Sequence, residues 1–245
     1  MILVTGATGK VGRHLVTGLL AEGVPVRALT RGSAAPGLPA GAELARWDPG
    51  RPATLAAALA GTTAVFINVT AVGGVVTELM DAASRAGTGR AVMLSSLTVR
   101  DNGAQPYAIG ARHKSIEDQV RAFAPAATFL RCGGFAANAL AWAPMIRAGG
   151  VVRAPYPGAA TAPIAERDIA AAAVRVLLDD GHAGARYVLT GRQSLTRRSR
   201  CRPSAPRSAG NCGSRSCPPR RSGGPPPPTC RPPRPPTCCG TWRST

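Results

Sequence analysis

The sequence predicts an α/β fold in which a doubly wound parallel sheet carries helices on both faces. Short apolar runs that suit buried strands alternate with helical stripes of apolar residues along residues 1–190. Several of the runs are almost entirely apolar, as strands buried on both faces require. At 245 residues, the chain is long enough for one such domain with a sizeable core.

A glycine-rich turn follows the first apolar run, residues 2–4. Gly6, Gly9 and Gly12 come next, and a helical pattern begins directly after them. A strand-to-helix turn of this kind directs backbone N–H groups and the positive end of a helix dipole toward a phosphate, as in Rossmann-type folds. The alternative is a tight turn without a ligand. We expect a dinucleotide coenzyme to bind this turn, at Gly6, Thr8, Gly9, Lys10 and Val11.

The period of the apolar residues gives the other elements. Strands are predicted at residues 2–4, 24–29, 42–47, 63–69, 90–97, 127–131 and 185–190. Helices are predicted at residues 10–21, 54–59, 75–86, 116–123 and 169–178. The first strand, the first helix and the second strand are expected to form a right-handed crossover.

The end of the second strand indicates which coenzyme is preferred. Sites for NAD place an acidic residue there to bind the ribose 2′-hydroxyl, whereas this chain has Thr30 and Arg31. Because the guanidinium fork of Arg31 suits a 2′-phosphate, we predict NADP (NADPH) in preference to NAD. The alternative is that Arg31 is a solvated loop residue, as we expect for Arg27.

Two later strand ends are further coenzyme candidates, because ligands in open α/β sheets bind beyond the carboxyl ends of the strands. Asn68 lies at the end of the fourth predicted strand, and Ser95 at the end of the fifth. We expect the segment from Asn68 to Ala71 beside the ribose and nicotinamide.

Two segments carry a resemblance to a known family. The turn TGATGKVG, residues 5–12, is similar to the extended and atypical branches of the short-chain dehydrogenase superfamily. A later segment resembles the NmrA-like, NAD(P)H-binding branch of the atypical group, which includes quinone oxidoreductase type 2 proteins and redox-sensing regulators. The residues that carry this second resemblance are His113 and Glu117 on a helix, Leu130-Arg131-Cys132 at a strand end, Phe135 and Asn138. Cys132 stands where that branch has proline.

The resemblance implies further site residues. It places Asp48 near the adenine amino group, although an Asp before a proline also initiates turns. It implies that Phe135, Asn138 and Trp142 line a substrate pocket, with core packing as the alternative for Trp142. Ser95 acquires a role in the same way, because conventional short-chain dehydrogenases use a serine at this strand end.

Those conventional enzymes pair the serine with Tyr-x-x-x-Lys on the next helix, where the tyrosine transfers a proton. Lys114 lies 18 residues after Ser96, about where that lysine belongs, and is our candidate catalytic and ribose-binding residue. Gly110 stands at the tyrosine position, and Tyr107 is three residues too early. The alternative for Lys114 is a solvated helix lysine.

The last stretch, residues 197–245, differs in character from the rest. It holds eleven arginines and no Asp, Glu or Lys, so subtracting 11 from the net charge of +18 leaves +7 for residues 1–196. The stretch is rich in Arg, Pro, Ser, Gly and Cys and lacks a hydrophobic period, which predicts a disordered tail after a folded domain of residues 1–196. We expect that this stretch is an out-of-frame translation product. Translation of the other two reading frames of the gene tests this expectation. The alternative is a genuine basic tail that binds nucleic acid nonspecifically.

Charge and cysteine content bear on the partners, metal sites and location of the protein. Because the excess charge is concentrated in the tail, the charge of the chain does not favour a nucleic-acid partner for the domain. Cysteine spacing in the tail does not suit zinc, so no metal site is predicted. One cysteine in the domain, no signal peptide and no membrane-spanning run predict a cytoplasmic protein.

Two functions are consistent with this pattern. The first is an NADPH-dependent oxidoreductase that reduces a quinone or another small acceptor without the usual tyrosine, because a quinone takes its protons from water. The second is a non-catalytic NAD(P) redox sensor that regulates a partner protein.

Overall fold

A computed structural model describes residues 1–32, 35–48 and 51–200. Its main feature is a seven-stranded sheet in which every pairing is parallel, with the strand order β3-β2-β1-β4-β5-β6-β8. The strands of this sheet are β1 Ile2–Thr5, β2 Val26–Thr30, β3 Glu43–Arg46, β4 Ala64–Asn68, β5 Arg90–Ser96, β6 Thr128–Cys132 and β8 Arg186–Leu189. Each lies within two residues of the predicted strand.

Helices cover both faces of the sheet. The helices of this unit are α1 Gly12–Ala21, α2 Pro52–Leu59, α3 Val69–Val72, α4 Val76–Arg85, α5 Ala108–Phe123 and α7 Glu166–Leu178. On one face, α2, α4 and α5 enclose a core that includes Leu3, Val65, Met93 and Phe129. Helices α1 and α7 pack together on the other face, toward which the alternate strand residues point. The Rossmann-type doubly wound fold is therefore confirmed.

Two helices differ from their predicted form. Helix α5 begins at Ala108, not at residue 116, because its first two turns are mainly polar or exposed and give no apolar period. The four-residue helix α3, absent from the prediction, follows β4 and is capped by Asn68, whose Oδ1 accepts a hydrogen bond from the Thr70 N–H at 3.0 Å.

A second compact unit contains Gly134–Pro163 and, among the described residues, 191–200. It begins with a 3-10 segment, Ala136–Trp142, which is followed by helix α6, Ala143–Gly149. Strands β7 Ala160–Thr161 and β9 Leu195–Thr196 pair antiparallel.

The chain continues past the predicted domain end as a short helix, α8 Arg197–Arg200. Thr196 caps this helix, because its hydroxyl oxygen accepts a hydrogen bond from the Ser199 N–H at 2.9 Å. The rest of the tail predicted to be disordered, residues 201–245, lies outside the described residues. Within the described ranges, no helix combines the length and apolar character needed to cross a bilayer.

Candidate functional site

The glycine turn between β1 and α1 is shaped by close backbone contacts. Gly6 has φ +64°, in the left-handed region that favours glycine, and a Cβ there would lie 2.9 Å from Nδ2 of Asn68. The Gly9 N–H donates to the Gly6 carbonyl at 2.9 Å and closes the turn. A Cβ on Gly12 would overlap the Gly6 carbonyl oxygen and lie 2.7 Å from Cα of Ala7. Only glycine therefore lets α1 begin directly against the turn.

This arrangement suits an anion. The first N–H groups of a helix have no partner within the helix, and they carry the positive end of its dipole. Arg13 adds a positive charge beside the turn, because its guanidinium donates to the carbonyls of Thr8 and Gly9 at 3.3 and 3.4 Å. Arg13 is not among the predicted site residues, although its position in the first helical turn places it beside the glycine turn.

Asn68 is held next to the turn by its neighbours. The Asn68 N–H donates to the Thr5 hydroxyl oxygen at 2.7 Å, and that hydroxyl donates to the Phe66 carbonyl at 3.0 Å. These bonds join the carboxyl ends of β1 and β4. The structure therefore brings two of the predicted coenzyme residues, Asn68 and Gly6, together.

A pocket of about 240 Å³ opens beside the turn, at the carboxyl ends of β1 and β2. Three predicted coenzyme residues, Gly6, Thr8 and Arg31, line it. Ala71, in the segment expected beside the ribose, lines it as well. The prediction did not include the other lining residues, which are Thr5, Leu29, Thr30, Gly32, Trp47 and Val72. Asp48 directly follows Trp47 without lining this pocket, and its carboxylate lies 3.9 Å from Nε of Arg51.

The two arginines near β2 have different environments. The Arg31 side chain belongs to an exposed residue at the pocket rim and is open to a ligand. Arg27, expected to be solvated, instead has a side chain only 13% exposed, which pairs with Glu43 at 2.8 Å and donates to the carbonyls of Ala58 and Ala60. That expectation was wrong, because the carbonyls at the end of α2 needed donors.

Glu117 and Arg131, two of the residues that carry the family resemblance, form a buried ion pair. Arg131 donates to Glu117 at 3.0 and 2.7 Å, and to Asp101 at 2.9 and 2.7 Å. Glu117 is fully buried and also accepts from the Ser95 hydroxyl at 2.5 Å. Hydrogen bonds from Arg131 hold the pKa of Asp101 below its usual range, and those to Glu117 and Asp101 raise the pKa of Arg131.

The ion pair between Glu117 and Arg131 gives these two residues a structural role. It ties β5, α5 and β6 to the loop that follows β5, through Asp101. Because the Ser95 hydroxyl is committed to Glu117, the coenzyme role predicted for this side chain requires an exchange of that bond. Cys132, the next residue after Arg131, is a buried free thiol whose pKa burial raises to about 12. It suits the small buried residue that we expected and not a nucleophile.

Backbone atoms of the loop after β5 fill the space where the side chain of the missing tyrosine would lie. A Cβ on Gly110 would lie 2.6 Å from the Thr98 carbonyl oxygen, so α5 packs directly on the loop after β5. Lys114, one turn later, is a quarter exposed, and its ammonium donates to both carboxylate oxygens of Asp118 at 2.6 and 2.7 Å. Tyr107 is exposed at the start of α5. A ribose-binding role for Lys114 requires release from Asp118.

The predicted substrate residues lie in the second unit. Phe135 is partly buried and accepts a hydrogen bond from the Asn138 N–H at 3.1 Å, and Asn138 is exposed. Trp142 is partly buried, and the guanidinium of Arg200 lies 5.4 Å from the centre of its ring. None of the three is a fully buried core residue.

Residues 6–180 match the family model described as NAD(P)H-binding, which is more than half of the chain. The chain belongs to this NAD(P)H-binding family. The resemblance to NmrA-like atypical short-chain dehydrogenases and to quinone oxidoreductase type 2 proteins is thereby confirmed. The glycine turn and its pocket fit the coenzyme that the family binds.

Members and neighbours of the NAD(P)H-binding family give the same picture. The chain is 41% identical over 204 residues to a (4-alkanoyl-5-oxo-2,5-dihydrofuran-3-yl)methyl phosphate reductase of Streptomyces griseus, covering 81% of this chain and 70% of the relative. It is 36% identical over 201 residues to the NAD(P)H azoreductase of Xenophilus azovorans, covering 80% and 70%. The Escherichia coli NADPH-dependent quinone oxidoreductase complexed with NADPH is 28% identical, with a TM-score of 0.68, and the match covers 80% of this chain and 71% of that one.

By their names, all three relatives are reductases or oxidoreductases of small molecules. In the part of the chain that the structure describes, no group of three His, Cys, Asp or Glu side chains is placed to hold a metal ion.

Proposed function

We propose that the protein is an NADPH-dependent reductase of a quinone or another small conjugated acceptor. The observation that carries the proposal is the pocket at the glycine turn, where an open guanidinium, that of Arg31, stands at the rim. The names of the relatives support the same reaction class, because they act on a quinone, an azo compound and an unsaturated lactone phosphate.

The coenzyme contacts follow from the charges in and beside the pocket. The backbone amides from Gly6 to Val11 would hold the diphosphate, with Arg13 adding charge beside them. Arg31 would bind the 2′-phosphate, and this contact is the basis of the proposed preference for NADPH. When bound, the coenzyme supplies a hydride, and the protein contributes binding, orientation and electrostatics.

The closed position at Gly110 favours an acceptor that does not depend on a tyrosine. Reduction of a simple ketone generates a strongly basic alkoxide, which needs a proton donor in the transition state. Reduction of a quinone generates a much less basic, delocalised anion. In this chain the Thr98 carbonyl fills the space beside Gly110 that a tyrosine side chain would need. The site is therefore better suited to conjugated acceptors than to simple ketones.

NADPH oxidation over a panel of quinones, an azo dye and a simple ketone tests the proposal. We expect saturable turnover with at least one conjugated acceptor and none with the ketone. Arg31→Ala is expected to raise KM for NADPH while leaving KM for NADH nearly unchanged. Turnover of the ketone at a rate equal to that of the quinones would contradict the proposal.

The redox-sensor alternative is an outcome of the same experiment. The absence of a tyrosine at Gly110 is equally consistent with a protein that binds the coenzyme but catalyses no reaction. Tight NADPH binding without turnover of any acceptor would favour the sensor, and would direct the search to a protein partner.

A further inference from the structure

We propose that His113 on α5 donates a proton to the delocalised anion of the reduced acceptor. It does not occupy the position of the missing tyrosine, so the expectation for a simple ketone is unchanged. The proposal rests on the proposed reductase function. It is argued from the direction of α5, the face on which His113 lies and the hydrogen bond that orients its ring.

Helix α5 runs from the carboxyl edge of the sheet toward the opposite edge. Its start lies beside the loop after β5, where Gly110 meets Thr98. Glu117 reaches the Ser95 hydroxyl near the end of β5, and Arg121 lies over Phe129, deeper in the sheet. His113 falls between Gly110 and Glu117, so it is level with the end of β5. That edge is where ligands bind in open α/β sheets.

The helical wheel decides which way His113 and Lys114 lie. At 100° per residue, both flank the stripe of Gly110 and Glu117 that faces the sheet, on opposite sides of it. Lys114 is on the side of Asp118 and Arg121, toward β6. His113 is on the side of Ile116, which packs in the core beneath α4.

The side of His113 is therefore the side of β4, which stands between β5 and β1 in the sheet. The carboxyl end of β4 carries Asn68, which touches the glycine turn. Of the two basic side chains that flank the stripe, His113 is the one on the coenzyme side.

The imidazole of His113 is oriented and accessible. Its Nδ1 lies 2.8 Å from the Ile109 carbonyl oxygen, one turn earlier in the helix. Because a carbonyl oxygen only accepts, Nδ1 carries a hydrogen, and Nε2 is the nitrogen left for a ligand. The bond draws the ring toward the start of α5, and the residue is only partly buried. An oriented imidazole at a ligand-binding edge is the usual arrangement for proton transfer.

The step balances without a further reactant. The acceptor would receive a hydride, supplied by the reduced coenzyme when bound, which brings two electrons and one hydrogen. The Nε2–H bond of the His113 imidazolium breaks, its electron pair stays on nitrogen, and the proton forms a bond to the acceptor oxygen. The ring is left neutral, with Nδ1–H still on the Ile109 carbonyl, and a proton from water restores it. A quinone thereby becomes a hydroquinone.

Kinetics of His113→Gln, with His14→Gln as the control, test the role. His14 is exposed on α1. We expect His113→Gln to lower kcat about tenfold or more, with an unchanged Kd for NADPH. The loss should grow across a quinone series as the reduced anion becomes more basic, which a merely structural role would not produce. Equal kcat in His113→Gln and wild type would overturn the proposal and leave the reductase function standing.

A readout without turnover keeps the two proposals distinguishable. The chain has three histidines, so their imidazole nitrogens can be followed by NMR in 15N-labelled wild-type protein with NADP⁺. Adding benzohydroquinone should shift Nε2 of His113 and leave His14 unchanged. No shift at His113, or an equal shift at His14, would overturn the role of His113, whether or not any acceptor is turned over and whether or not His113→Gln folds.

Discussion

Replacing Gly110 by alanine tests whether the tyrosine position is closed by the fold. An added Cβ would lie 2.6 Å from the Thr98 carbonyl oxygen and 3.2 Å from its carbon. Reaching an ordinary contact of 3.4 Å requires the backbone to retreat by about 0.8 Å, and a backbone carbonyl cannot swing aside as a side chain can. Overpacking costs about 1–3 kcal/mol, and because the atom met here is a rigid backbone carbonyl we expect the upper part of that range, about 2–3 kcal/mol. Alanine returns about 1 kcal/mol over glycine in a helix. We expect a net loss of about 1–2 kcal/mol.

Thermal unfolding followed by circular dichroism measures this loss. For a chain of this size, each kcal/mol moves Tm by about 2–4 °C, so Gly110→Ala should unfold about 2–8 °C below wild type. The matched control is Gly149→Ala in α6, where an added Cβ meets nothing within 4 Å. Its Tm should not fall. Gly110→Tyr should be less stable still and should gain no ketone reduction. A Gly110→Ala variant as stable as the control would refute the reasoning.

Three further predictions concern the coenzyme, the ion pair and the buried thiol. Arg31→Ala should weaken NADPH binding by about tenfold to a hundredfold, as expected for lost bonds to a charged group, with little change for NADH in the same calorimetric titrations. Glu117→Gln should lower the free energy of unfolding in urea by about 3 kcal/mol, because it leaves Arg131 buried with less compensation, whereas Asp101→Asn, at a half-exposed partner, should cost below about 1 kcal/mol. Cys132 should resist iodoacetamide at pH 8 in folded protein, scored by peptide mass spectrometry, and react once unfolded. Because its folded pKa is raised from 9.0 to about 12, the stability it contributes is complete below pH 9 and is lost as the pH rises toward 12.

The glycine turn could be predicted from sequence because its chemistry is local. Three glycines within seven residues of a strand dictate where a backbone approaches itself, and the contacts of Gly6 and Gly12 follow directly. The parallel strands could be predicted for a similar reason, since burial on both faces leaves continuous apolar runs.

The rest of the site depends on contacts between distant segments. Trp47 and Val72 line the pocket beside the glycine turn only because β3 pairs with β2, and β2 and β4 both pair with β1, and neither residue carries a local signal. The motif residues Glu117 and Arg131 were recognised by resemblance, but their pairing needed the packing of α5 on β5 and β6. The early start of α5 was missed because Gly110 packs against a carbonyl, which no apolar period reveals.

Titration of the folded protein with NADPH in a calorimeter tests the central claim most directly, namely that the first turn of the chain binds a dinucleotide coenzyme. The account predicts saturable heat with one site per chain, and weaker binding of NADH. A folded sample that gives no heat with either coenzyme would contradict it.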